Sequence, residues 1–253
     1  MNIQEKLIMF AKNIAYPYIQ QLPFYIEHEN NISVLLVGSA ATGLCTESSD
    51  VDICILCREY IFNEISANTN WNNGKPTEVI LNNMQLHFYA ISIETIEKKI
   101  VEYDDVTFYI YGNTITLNDN ANLICKLENL INNDEIKIER KNKAFDLLIR
   151  RNKALAQIFE KEPDPISRIS VGMEIIEHLL KNVALSDNTM FDKRKRFYYT
   201  ALTGKNGMLI KPKIDILLAY LSEISLIENN EKSLSYLYIV NECIDLLKSH
   251  YEV

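Results

Sequence analysis

Asp50 and Asp52 stand two residues apart in Asp50-Val51-Asp52-Ile53-Cys54-Ile55-Leu56, and Ser39 lies eleven residues before the first of them, in Val37-Gly38-Ser39-Ala40-Ala41-Thr42-Gly43. Side chains alternate across an extended strand, so Asp50, Asp52 and Cys54 share one face while Val51, Ile53 and Ile55 occupy the other and enter a core. Two carboxylates about 7 Å apart along a strand repel one another as bare anions, and a divalent cation between them removes that cost. Hard oxygen donors suit Mg2+, which completes its shell with waters and substrate phosphates. Gly38 permits close backbone approach. The Ser39 hydroxyl and the amides after it offer donors to phosphate oxygens where a short helix begins. A phosphate cradle next to a carboxylate pair is suited to a nucleotide that carries its own metal.

The elements that must position these groups follow from the apolar pattern. Ile32-Ser33-Val34-Leu35-Leu36-Val37 is a short continuous apolar run, read as a buried strand leading into Gly38. The stretch 77–91 reads as two strands joined by Asn82-Asn83, a two-residue hairpin turn. That turn length pairs Glu78 with His87 and Ile80 with Gln85. Val79, Leu81, Met84, Leu86 and Phe88 then form one wholly apolar face, and Glu78, Ile80, Gln85, His87 and Tyr89 the other. Glu78 is the one carboxylate on the second face, which is the face expected beside Asp50 and Asp52.

Elsewhere in the first half, 5–19, 93–103 and 122–131 have helical apolar spacing, and 106–113 (VTFYIYGN) reads as a further strand ending in a turn. From about residue 134 onward nearly everything reads as helix. A long, basic amphipathic segment over 135–162 ends at Pro163 and Pro165. Ile166, Ile169, Met173, Ile176, Leu180 and Val183 then step by threes and fours along one helical face. Two more helices follow, in 213–224 and 233–250. The pattern predicts a mixed α/β domain over residues 1–133 and an all-α domain over 134–253. No internal repeat or low-complexity segment interrupts either.

The chain has 253 residues, 47% of them apolar, and a net charge of −8. Such an acidic balance argues against broad, non-specific nucleic-acid binding. The five cysteines (45, 54, 57, 125 and 243) form an odd, scattered set, expected as free thiols in a reducing cytosol. Cys54-x-x-Cys57 has redox or zinc spacing, yet lacks a second pair to complete a site. The N-terminal stretch carries charges throughout and no long apolar region, and no run approaches a membrane span. A cytoplasmic protein without membrane contact is expected. Against this acidic background, Lys193, Arg194, Lys195 and Arg196 form a basic cluster.

Hydrophobic-Gly38-Ser39, a short spacer and Asp50-Val51-Asp52-Ile53 together resemble the signature of the nucleotidyltransferase fold superfamily typified by DNA polymerase β. Gly43 and Ser49 match a frequent elaboration of it, and Ser49 joins Gly38 and Ser39 as an expected nucleotide contact. The hairpin and the helical half are most similar to small-molecule antibiotic nucleotidyltransferases of the kanamycin and lincosamide type. The resemblance implies an α+β fold: an N-terminal nucleotidyltransferase domain with a mixed sheet, followed by an all-α helical bundle. It implies Mg2+ on Asp50 and Asp52, an NTP (ATP in the first instance) as co-substrate, and a basic residue, Lys193 or Lys195, on the triphosphate. Arg140, Lys141, Arg150 and Arg151 are rivals for that last role.

The same resemblance calls for a third carboxylate on a neighbouring strand, and its usual position holds Gln85. Glu78 is the candidate to replace it, with Gln85 and His87 the other occupants of that neighbourhood. The implied reaction transfers a nucleoside monophosphate to a hydroxyl of a small molecule such as an aminoglycoside or lincosamide, with loss of pyrophosphate. An RNA- or protein-directed transferase and a degenerate nucleotide-binding module are the alternatives. A homodimer is an allowed assembly.

Overall fold

The structure is a computed structural model and describes residues 1–69, 76–192, 196–223 and 230–249. The chain divides into two compact units, Met1–Asn133 and Asp134–Val253.

The first unit opens with helix α1 (Ile3–Phe10), a π-helical turn (Ala11–Ala15), α2 (Tyr16–Gln20) and α3 (Pro23–His28). A capping box starts α1: the Asn2 side chain accepts from the Glu5 amide at 2.8 Å, and the Glu5 carboxylate accepts from the Asn2 amide at 2.9 Å. Strand β1 (Ile32–Val37) follows, then the short helix α4 (Gly38–Thr42), β2 (Val51–Cys57), α5 (Glu59–Thr69), β3 (Thr77–Leu81) and β4 (Met84–Ser92). Helices α6 (Ile93–Val101) and α7 (Asp105–Tyr111), strand β5 (Ile115–Asp119) and α8 (Ile124–Ile131) complete the unit.

The five strands form one mixed sheet in the order β3-β4-β2-β1-β5. β2 runs antiparallel to β1 and parallel to β4, while β3 and β5 pair antiparallel with β4 and β1. Both middle residues of the hairpin turn, Asn82 and Asn83, have positive φ (50° and 62°), the requirement of the tight turn whose twist matches paired strands. Glu78 accordingly faces His87, and Ile80 faces Gln85. Val51, Ile53, Ile55, Leu86 and Phe88 pack into one core with Leu7, Phe10, Ile19 and Ile61 from the helices. On the opposite face Leu35, Cys54 and Leu56 are fully buried.

One local expectation is overturned. Residues 106–113 do not form a strand; α7 covers Asp105–Tyr111, and the strand comes after the turn, as β5. The aromatic, β-branched composition favours a strand. Asp104 decides otherwise, because its carboxylate accepts from both the amide (3.0 Å) and the hydroxyl (2.6 Å) of Thr107, capping a helix. Helical spacing then places Phe108 and Tyr111 on one face, both buried.

The second unit contains α9 (Asp134–Lys161), α10 (Pro165–Ser186), α11 (Phe197–Ala201), α12 (Lys205–Glu223) and α13 (Asn230–Lys248). Asp164 caps α10 by accepting from the Ser167 amide at 2.7 Å, and Pro165 occupies the first turn, where its missing N–H costs nothing. Ile176, Leu180 and Val183 are fully buried in the core, as their spacing predicts, but Ile166 is exposed: it lies in the first turn, short of the packed face. Phe159 stacks on Tyr236 at 4.4 Å, and the Tyr236 hydroxyl donates to the Gly172 carbonyl at 2.7 Å. A methyl group on Gly172 would sit 2.4 Å from Leu221, so this glycine sets how closely α10 approaches α12. Asp187 closes the start of α12 by accepting from the amides of Asn206 and Gly207, both at 2.9 Å. Among the described residues, no helix is long and apolar enough to cross a membrane.

Candidate metal and nucleotide site

One cross-strand row carries the site. Val37 on β1 pairs with Asp52 on β2, Asp52 with His87 on β4, and His87 with Glu78 on β3. Directly opposite residues share a face, so Asp52, His87 and Glu78 project together. The alternation that sends Val51, Ile53 and Ile55 into the core is the same one that presents Asp52.

Gly38 makes room for this arrangement. Its φ of +72° lies in the left-handed region, and a Cβ there would stand 2.2 Å from Asp52 Oδ2. Asp52 therefore lies against the bare backbone of the turn that carries Ser39, and Ser39 is itself buried. Gly43 ends the turn with φ +77°, and Gln4 of α1 holds it from outside by donating to the Ala40 carbonyl at 3.1 Å. Ser49 sits in the following loop, where its hydroxyl accepts from the Thr46 amide at 2.8 Å and tightens a turn just before Asp50.

The His87 ring joins the carboxylates. Its Nδ1 lies 2.7 Å from Asp50 Oδ2 and 3.5 Å from Asp52 Oδ1. One ligand atom from each of Asp50, Asp52 and His87 falls within 4.8 Å of the others, and all three residues are partly exposed. Ligand atoms about 2.1 Å from an octahedral ion lie about 3.0 Å apart when adjacent, so the donor set fits a divalent cation. Two of its members are hard oxygens suited to Mg2+; the third is an imidazole nitrogen.

Glu78 occupies the far side of that ring. Its Oε1 is 3.8 Å from His87 Nε2, and its side chain is 64% exposed. It shares the face of the aspartates but stands two strands from Asp52, with β4 and His87 between; at about 4.8 Å per strand its backbone begins about 10 Å away. Gln85 also reaches Nε2, at 2.9 Å through its side-chain amide. With the amide nitrogen donating to Nε2, the ring proton is on Nδ1 and is donated to Asp50. His87 thus belongs to the metal-competent group, a placement that depends on β4 lying parallel beside β2.

Of the basic candidates, Lys193 and Lys195 lie outside the described residues. Arg140 is buried within the second unit, its guanidinium 5.7 Å from the centre of the Phe191 ring. Lys141 is half-buried, and burial, reinforced by Lys137, lowers its pKa. Arg150 spends a guanidinium N–H on the Asp146 carbonyl at 3.3 Å, and Arg151 is exposed on α9. Tyr199 is exposed, while Tyr198 packs against the helical core.

The cysteine pair has no part in this chemistry. Three residues apart on a strand, Cys54 and Cys57 point to opposite faces. Both are free and buried, and burial pushes each thiol up to about 12, so both are protonated at neutral pH. Cys54 lies on the face of Asp52, two residues further along the strand, with the hydroxyls of Tyr89 and Tyr111 nearby, themselves 3.4 Å apart.

Residues 20–114 match the family model of the nucleotidyltransferase domain. The matched span runs from α2 through the turn after α7, so it includes β1, the Gly38–Ser39 turn, both aspartates and His87. Among solved structures, the chain is similar to a nucleotidyltransferase-like protein from Exiguobacterium sibiricum 255-15, with a TM-score of 0.51 and 11% identity, covering 98% of this chain and 75% of that one. At that identity the likeness concerns the fold. No curated protein matches the sequence. The fold is α+β: the first unit holds the mixed sheet and the segment that matches the nucleotidyltransferase domain model, and a helical C-terminal region follows.

Proposed function

We propose that the protein is a metal-dependent nucleotidyltransferase that moves a nucleoside monophosphate from an NTP, ATP in the first instance, to a hydroxyl of a small molecule such as an aminoglycoside or lincosamide. The observation that carries this reading is the Asp50–Asp52–His87 group seated against the Gly38–Ser39 turn. Asp50 and Asp52 hold the metal, and Ser39 with the following amides holds phosphate oxygens. When bound, a divalent ion such as Mg2+ supplies charge neutralisation at the triphosphate and at the leaving oxygen. We assign Lys193 and Lys195 to the β- and γ-phosphates on their charge and the family resemblance.

In the transfer the acceptor hydroxyl oxygen attacks the α-phosphorus in line. The bond from that phosphorus to the oxygen bridging to the β-phosphate breaks, and pyrophosphate leaves. Glu78 takes the hydroxyl proton: it is the carboxylate of this face that stands outside the metal group, and it is open to solvent. Replacement Glu78→Gln should lower kcat by about 10²-fold or more while leaving nucleotide affinity within about twofold, the pattern of a lost general base.

The net charge of −8 favours a cationic acceptor over a polyanion. Incubation with labelled ATP and Mg2+ against an aminoglycoside and lincosamide panel, and separately against total RNA, tests the acceptor. Label on a small molecule is expected. Label on RNA alone would overturn the small-molecule reading, and nucleotide binding without label anywhere would leave a degenerate binding module.

A further inference from the structure

His87 adds a nitrogen donor to a site otherwise built of carboxylate oxygens. Its Nδ1 is 2.7 Å from Asp50 Oδ2 and 3.5 Å from Asp52 Oδ1, separations that bracket the roughly 3.0 Å between adjacent ligand atoms of an octahedral ion. The residue pairs across the sheet with Asp52 on one side and Glu78 on the other, and its side chain is only 17% exposed.

To offer Nδ1 as a lone pair, the ring must carry its proton on Nε2. There Gln85 stands at 2.9 Å and Glu78 at 3.8 Å. A half-turn of the Gln85 amide presents its oxygen to that proton. Metal-ligating histidines are commonly oriented this way, through an acceptor on the other ring nitrogen. The glutamine at the position expected to hold an acid is thus within hydrogen-bond reach of the ring.

We propose that His87 Nδ1 is the third protein ligand of this site, that Gln85 is its positioning residue, and that the donor set selects Mn2+ over Mg2+. Mg2+ takes oxygen donors and gives up its waters reluctantly, whereas imidazole suits the first-row transition ions. Mn2+ keeps the carboxylate and phosphate preference that Asp50, Asp52 and a nucleotide require while also accepting nitrogen. The proposal rests on the metal-dependent reading above, and its test is read without catalysis.

Mn2+ is titrated into the full chain without nucleotide, with binding followed by loss of the free-ion EPR signal and by Mg2+ competition. Electron spin-echo modulation then reports any nitrogen bonded to the bound ion. Expected are one Mn2+ bound at least about tenfold more tightly than Mg2+ and a 14N coupling in the wild-type protein. His87→Ala should abolish the coupling and most of the preference, and His87→Asp should return the preference to Mg2+. Gln85→Ala should weaken Mn2+ binding by about tenfold while keeping the coupling.

Bound Mn2+ without nitrogen coupling, equal affinity for the two ions, or no Mn2+ binding at millimolar concentration would each overturn the proposal. The wild-type coupling needs no variant to fold. A nitrogen-coupled ion in a protein that transfers no label would uphold the ligand set and sink the transfer reading. Label transfer without coupling would do the reverse.

Discussion

Asp52→Asn should stop the proposed nucleotidyl transfer, lowering kcat/KM by about 10³-fold or more, and should leave the fold intact. The substitution keeps the shape of the side chain and its backbone pairing with Val37 and His87. It removes one of the two anionic oxygen ligands and half of the negative charge that draws the ion. Metal-based stabilisation of a phosphoryl transition state is worth several kcal/mol, and each 1.36 kcal/mol is about a factor of ten in rate. Steady-state kinetics with a thermal melt on the same preparation checks both halves. An active Asp52→Asn enzyme would remove this carboxylate from the mechanism.

Gly38→Ala should cost both stability and activity. The residue has φ +72°, a conformation that costs a residue with a Cβ about 1–2 kcal/mol. The new methyl would stand 2.2 Å from Asp52 Oδ2, so the carboxylate has to swing away from the turn. A displacement of about 1 Å at a reacting centre costs about 10²-fold in rate, and a comparable loss is expected here in addition to the lower melting temperature. Gly43→Ala separates the two effects. Its φ is +77°, so the backbone cost is similar, but its added methyl meets only the end of the Gln4 side chain, at 3.3 Å. It should melt lower and keep most of its activity. Equal activity loss in the two variants would show that turn strain, and not the displaced Asp52, limits the reaction.

Local rules made much of the first unit legible. Alternation in 50–56 separates Val51, Ile53 and Ile55 from Asp52 and Cys54, and the structure keeps that division. The two-residue turn at Asn82-Asn83 dictates the hairpin register, and with it the apolar face of Val79, Leu81, Met84, Leu86 and Phe88. Which strand lies beside which is a different matter. Hairpin register shows that Glu78 and His87 share a face with each other, but it says nothing about which of the two is nearer Asp52. The parallel pairing of β2 with β4 joins segments about 35 residues apart, and that pairing puts His87 beside Asp52 and leaves Glu78 on the edge strand.

Where propensity and capping compete, the cap can win. The run 106–111 has strand composition, yet Asp104 accepts two hydrogen bonds from Thr107 and a helix forms. Its Tyr111 hydroxyl, 3.4 Å from that of Tyr89, packs on the sheet face that carries Asp52 and His87. The exposure of Ile166 is a case of the same kind, since a regular apolar period continues into a first turn that nothing covers.

The central claim is transfer at the α-phosphorus, and the fate of the two ends of the triphosphate tests it most directly. Parallel reactions with ATP labelled at the α- or the γ-phosphate, a cationic small-molecule acceptor and a divalent metal are resolved into acceptor, nucleotide and pyrophosphate. The account predicts that α-label passes to the acceptor in step with appearance of γ-label in pyrophosphate, and that Asp52→Asn stops both. Passage of γ-label to the acceptor, with ADP as the other product, would contradict it.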